Sequence, residues 1–227
     1  MSAERTQAMK AHKGARHSKA EASAKPALVP ATGETQQFGS VARLPNGLPD
    51  SVSSKSVNKL NQILADTMSL RDLYKKHHWQ VAGPAFYQFH LLFDKHYEEQ
   101  ATLVDQIAER IQLLGGVSIA MAAHVAAVTR IELPPIGREA VSVQVSRLLS
   151  AHELIVKDAR KQAKAMQDDD PGTNDLLVSN VLRPSDGSAG AAACHARCPA
   201  LPRLTWCCRV RIDRRGLIPV AAKLNVQ

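Results

Sequence analysis

The 227-residue sequence predicts an all-α protein whose middle folds as a four-helix bundle, and three observations carry that reading. Apolar residues recur with a helical period over three long segments. The breaks between segments are Gly-Pro, Pro-Pro and Asp-Pro-Gly runs of the kind that stop helices. Almost nothing alternates apolar and polar residues as a strand would, so the helices must bury their apolar stripes against one another.

Residues 1–54 are rich in Ala, Ser, Lys, Gly and Pro and show no sustained period. They lack the apolar stretch of a signal peptide and are expected to form a disordered tail. The first helix spans 54–81, with Val57, Leu60, Ile63, Leu64, Leu70, Leu73 and Tyr74 in period and His77 and His78 near its end. Gly83-Pro84 turns the chain into a second helix over 86–114, with Phe86, Phe89, Phe93, Val104, Ile107, Ile111 and Leu114 in period. The two should pack as an antiparallel hairpin. A long connection follows, with a short helix expected over 119–128 before Pro134-Pro135. Helix three is expected over 138–166, with Val145, Leu148, His152, Ile155 and Ala159 inward. The run from Asp168 to Gly172 reads as a turn, and a fourth helix starts at Asn174. The bundle thus occupies residues 55–183. Pro184 and Gly187 are expected to end the fourth helix after about ten residues, leaving an apolar groove on the other three.

Chemistry concentrates between His78 and Glu109. His90 and Asp94 stand four apart, as do Asp105 and Glu109, so each pair shares one face of the second helix. The pairs lie about 16 Å apart along the axis, at 1.5 Å per residue. Donors to one metal must approach to about 2 Å, so one straight helix cannot join the pairs. Two antiparallel copies about a two-fold axis can, and they create two equal sites at once. His78 would join from the neighbouring helix. Two imidazoles and three carboxylates suit Fe(II), Mn(II) or Zn(II).

The pattern His78-x11-His90-x3-Asp94-x10-Asp105-x3-Glu109, with Trp79 beside the first His and LLGG at 113–116, resembles the ferroxidase signature of the Dps family, the miniferritins that protect DNA in starved bacteria. The resemblance covers about 57–183. It implies a ferritin-like bundle and a ferroxidase that binds iron at a dimer interface. It also implies hydrogen peroxide as the preferred oxidant, ferric mineral stored in a twelve-subunit shell, and a stress role on cytoplasmic, nucleoid-associated DNA. Trp79 would take up stray oxidising equivalents, and Asp175 would belong to an acidic vestibule for cations. Ferritin-like proteins with an intrasubunit site carry Glu-x-x-His motifs, and this sequence has none, which favours the shared site. His96, His124 and His152 read as ordinary helix or surface histidines.

The net charge of +8 lies at the ends: residues 1–54 carry +3, 184–227 carry +5, and the middle is neutral. Lys10, Lys13, Arg16, Lys19 and Lys25 form a candidate DNA-contacting arm, whose contacts would be electrostatic and independent of base sequence. After Arg183 the resemblance stops, and the basic segment to Gln227 reads like translation in a shifted frame. All four cysteines (Cys194, Cys198, Cys207, Cys208) lie there, at spacings too irregular for a zinc site. A cysteine-free bundle fits a reducing cytoplasm, and no run reaches the ~20 apolar residues of a membrane helix. The alternatives are a non-catalytic nucleoid protein that compacts DNA through its ends, and a product too altered at its C-terminus to assemble.

Overall fold

The computed structural model describes residues 33–188 and Gly190. The chain divides into two units, 1–35 and 36–227, and only 33–35 of the first are described. The arm residues Lys10, Lys13, Arg16, Lys19 and Lys25 and all four cysteines lie outside the described residues.

The second unit is helical, with no strand among the described residues. Its elements are α1 (Asp50–Gln80), α2 (Phe86–Leu113), a short α3 (Ala122–Val128), α4 (Val141–Met166) and α5 (Pro171–Asp175), which runs on into a π-helical stretch, Leu176–Leu182. None is long and apolar enough to cross a membrane. α1 and α2 pack as a hairpin through a turn in which Gly83 takes φ +105°. α4 lies on α1, and the last helix packs on α4 and α2. Leu60, Ile63, Leu64 and Leu70 meet Ile107, Ile111, Leu148, Ile155, Leu177 and Val181 in one core. Each fully buried aliphatic side chain there is worth roughly 1.5–3 kcal/mol.

The structure corrects the tail that the sequence extends to Ser54. α1 begins at Asp50, after Pro49. Its first turn is polar, so the apolar period starts late, and only Asp50 at the positive end of the helix dipole marks the start. Residues 36–48 are also held: Ala42 N donates to Gly115 O at 2.8 Å, Gln36 Nε2 to the same carbonyl at 2.9 Å, and Val41 and Leu48 pack on the core. This explains the two glycines of LLGG. Gly115 ends α2 at φ +82°, and a Cβ on it would lie 2.0 Å from Ala42 O. A Cβ on Gly116 would lie 2.5 Å from a Val57 methyl.

The long connection is pinned to α1 by two buried polar side chains. Asn61 Nδ2 donates to Val117 O, and Asn61 Oδ1 accepts from Ile119 N. Asp66, fully buried, accepts from Thr129 Oγ1, Arg130 N and the Arg130 guanidinium. The helix expected from Arg138 is α4, and it starts at Val141, because Glu139 is engaged just ahead of it: its carbonyl accepts from Gln144 Nε2 and its carboxylate from Arg147.

The last helix differs most from expectation. It starts at Pro171 with Asp170 as its cap, accepting from Thr173 N at 3.0 Å. Nor does Pro184 end it: residues 183–188 remain helical, with Ser185 and Ser188 buried. Proline lacks an N–H and crowds the carbonyl four residues back. Just ahead of it the ladder has widened, with Arg183 N bonding Val178 O five residues back, which relieves that crowding. The depression of about 400 Å³ beside the last helix is lined largely by polar residues, including Glu99, Gln100, Thr102, Gln106 and Asn180.

Candidate metal centre

The Gly83-Pro84 turn reverses the chain so that the end of α1 faces the start of α2. His78 and His90, twelve residues apart, stack there with ring centroids 3.8 Å apart and planes at 22°. Each binds the other's backbone: His78 Nδ1 donates to His90 O at 2.8 Å, and His90 Nδ1 to His78 O at 3.1 Å. A carbonyl only accepts, so each Nδ1 must carry a hydrogen. In the neutral rings each Nε2 then keeps its lone pair, the arrangement a metal-binding histidine needs.

Asp94 lies one turn beyond His90. Its Oδ1 is 3.8 Å from His78 Nδ1 and 2.6 Å from Lys75 Nζ. The hydrogen bond from Lys75, together with its charge, holds this carboxyl below the usual carboxylate range, against some opposition from partial burial. Asp94 is therefore an anion with a cation resting on it. Lys75 also sits 4.3 Å above the Tyr97 ring.

Asp105 and Glu109 lie on the same helix beyond this cluster, both exposed. Glu109 borders a shallow depression of about 280 Å³ with Gln106, Arg110, Leu113 and Asp175. Within one chain the five residues form two separated half-sites. Among the described residues no three of His, Cys, Asp or Glu gather closely enough to hold a metal. Trp79, next to His78, leaves 72 % of its surface exposed. Asp175 is exposed too, and accepts from Ser179 Oγ.

A buried polar set in the bundle core went unnoticed in the sequence. Tyr74 Oη and His152 Nε2 are hydrogen-bonded at 2.7 Å, and His96 stacks on Tyr74 at 5.3 Å. His96 Nδ1 also donates to Glu99 at 2.9 Å, with Ser188 Oγ 3.0 Å away. His77 is fully buried, and neither of its ring nitrogens has a hydrogen-bond partner among the described residues. Burial lowers His77 and His152 to about 4, so both are neutral at neutral pH. The available signal was positional: these histidines stand where the helical period points inward.

Residues 57–187 match the family model of the Ferritin-like domain. The solved structure of DpsC from Streptomyces coelicolor is 48% identical, with a TM-score of 0.71, covering 72% of this chain and 95% of that one. The nutrient stress-induced DNA-binding protein of Nostoc sp. is 34% identical over 65% of this chain and 81% of its own length. DNA protection during starvation protein 2 of Bacillus anthracis is 30% identical over 56% of this chain and 87% of its own.

Proposed function

The chain belongs to the ferritin-like family, in its Dps branch, and on that premise we propose that it oxidises Fe(II) at a site shared by two subunits, stores the ferric product and shields DNA. One observation carries the reading: the crossed His78–His90 bonds, which spend both Nδ1 atoms on backbone carbonyls and leave both Nε2 atoms for a cation. Iron is the substrate. His78 and His90 supply neutral nitrogen and Asp94 supplies charge, while Asp105 and Glu109 of the partner subunit complete the set across a two-fold axis. Lys75 is the group Fe(II) displaces from Asp94. Carboxylates favour the triply charged product over the doubly charged substrate, which drives the oxidation forward electrostatically. Peroxide serves as the oxidant, and Trp79, exposed beside His78, scavenges equivalents that escape. The subunits build a closed twelve-chain shell, and Lys10, Lys13, Arg16, Lys19 and Lys25 attach it to DNA phosphates.

The test uses complementation. His90→Ala/Asp94→Ala and Asp105→Ala/Glu109→Ala should each abolish peroxide-driven Fe(II) oxidation above the buffer rate. Co-refolded mixtures should recover part of it, because each mixed dimer pairs one intact site with one broken one. Mixtures as inactive as their parents would overturn the shared site.

A further inference from the structure

We propose that Tyr74 and His152 form a redox pair inside the bundle, in which Tyr74 gives up one electron and passes its proton to His152. The proposal rests on the ferroxidase reading above, and four features of the core support it.

The first is the bond itself. The pair is read with the His152 hydrogen on Nδ1, so that Nε2, 2.7 Å away, accepts from the Tyr74 hydroxyl, which has no other partner among the described residues. A tyrosine loses an electron readily only if its proton has somewhere to go, and here the base is already in line. The second is enclosure. Tyr74 is 1 % exposed and His152 fully buried, so water cannot serve as the base. Burial also raises the phenol above its ordinary value, aided by the negative charge of Glu99, so Tyr74 holds its proton until the electron leaves. The third is that the proton stays local. His152 Nδ1 has no partner among the described residues to pass a proton on to. The transferred proton remains at Nε2, facing the oxygen it left, and re-reduction restores the pair without exchange with solvent.

The fourth is position. Tyr74 precedes His78 by four residues on α1, about 6 Å of axial rise. Its ring centroid is 6.2 Å from that of Phe93, the residue before Asp94. The other two tyrosines are placed differently. Tyr97 carries the Lys75 cation over its ring, which opposes loss of an electron, and Tyr87 is 70 % exposed.

The step answers a mismatch in electron count. Peroxide takes two electrons and two protons to become two waters, whereas one Fe(II) supplies one electron. When a site holds a single Fe(II), Tyr74 gives the second electron, leaving a neutral tyrosyl radical and a protonated His152. One peroxide, one Fe(II), the neutral pair and two protons yield two waters, one Fe(III), the radical and the imidazolium. No hydroxyl radical is released.

The assembled protein, loaded with substoichiometric Fe(II) and mixed with peroxide, is frozen within milliseconds and examined by electron paramagnetic resonance. A tyrosyl signal is expected, absent in Tyr74→Phe. His152→Gln keeps a hydrogen-bond acceptor for Tyr74 but is no base. Its folding should therefore be spared while the radical yield falls by about a hundredfold, the weight of a positioned base. Fe(II) oxidation under excess Fe(II) should be unchanged in both variants. A second arm needs no iron: photogenerated tris-bipyridine ruthenium(III) oxidises the same proteins, and the hole should settle on Tyr74. A signal that survives Tyr74→Phe, or equals wild type in His152→Gln, overturns the pair. Absent iron oxidation with an intact photochemical signal overturns the ferroxidase reading and leaves the pair standing.

Discussion

His152 shows what a single buried residue does to the whole protein's pH response. Burial lowers its pKa from 6.5 to about 4, with the nearby His96 adding to the effect. The unfolded chain therefore binds a proton near pH 6.5 that the folded chain refuses until about 4, and stability falls as pH drops through that window. Above 6.5 the contribution is complete, and below 4 nothing further is lost. The difference amounts to roughly 3 kcal/mol for this one group, since each pKa unit is worth about 1.4 kcal/mol. Urea unfolding at pH 7 and pH 5 should show a smaller drop for His152→Gln than for wild type, and equal drops would sink the assignment. Asp94 behaves oppositely. Its lowered pKa keeps it ionised to below the usual carboxylate range, so acid reaches this proposed ligand late.

At the level of elements, the last helix is fastened by a carboxylate at its start. Asp170, 1 % exposed, accepts from Thr173 N, from Ser56 Oγ at 2.8 Å and from Arg110 Nη2 at 2.6 Å. Burial pushes its pKa up, but these donors outweigh burial and hold it below its ordinary value. One side chain thus ties α1, α2 and the last helix together. Asp170→Ala should cost about 3 kcal/mol, because it removes a cap and strands a partly buried arginine. Ser56→Ala, which deletes only one donor, should cost about 1 kcal/mol. Chemical denaturation of the two variants measures both. A loss for Asp170→Ala no larger than for Ser56→Ala would mean that Arg110 finds another partner.

For the molecule as a whole, the proposed DNA attachment is a matter of charge distribution and copy number. The proposed arms contact phosphate, so affinity should fall steeply with salt, with a log–log slope near −0.9 per neutralised phosphate. Deleting residues 1–27 should weaken binding to any duplex and flatten that slope. The proposed shell would amplify the change, because many weak arms act together. A control deletion removes 191–227 and spares 183–188, which are helical and bury Ser185 and Ser188. It removes Arg209, Arg211, Arg214 and Arg215, which could replace the lost lysines. An undiminished slope in the doubly trimmed protein would show that the helical body binds DNA by itself.

The sequence alone determined the helices and the division of the candidate site. Apolar period is written along the chain, so α2 was legible to within a residue, and the rise per residue fixed the gap between Asp94 and Asp105. Starts and stops were less legible wherever a distant group sets them. α1 begins four residues early behind Pro49, and the last helix continues past Pro184 because the π stretch makes room for it. Only the tertiary structure decided which side chains meet. It crossed His78 and His90 onto each other's carbonyls, rested Lys75 on Asp94, and joined Tyr74 to His152 across seventy-eight positions. Periodicity says which face of a helix turns inward. It does not say which inward residue of another helix will be opposite, because that depends on the register at which two packed surfaces fit.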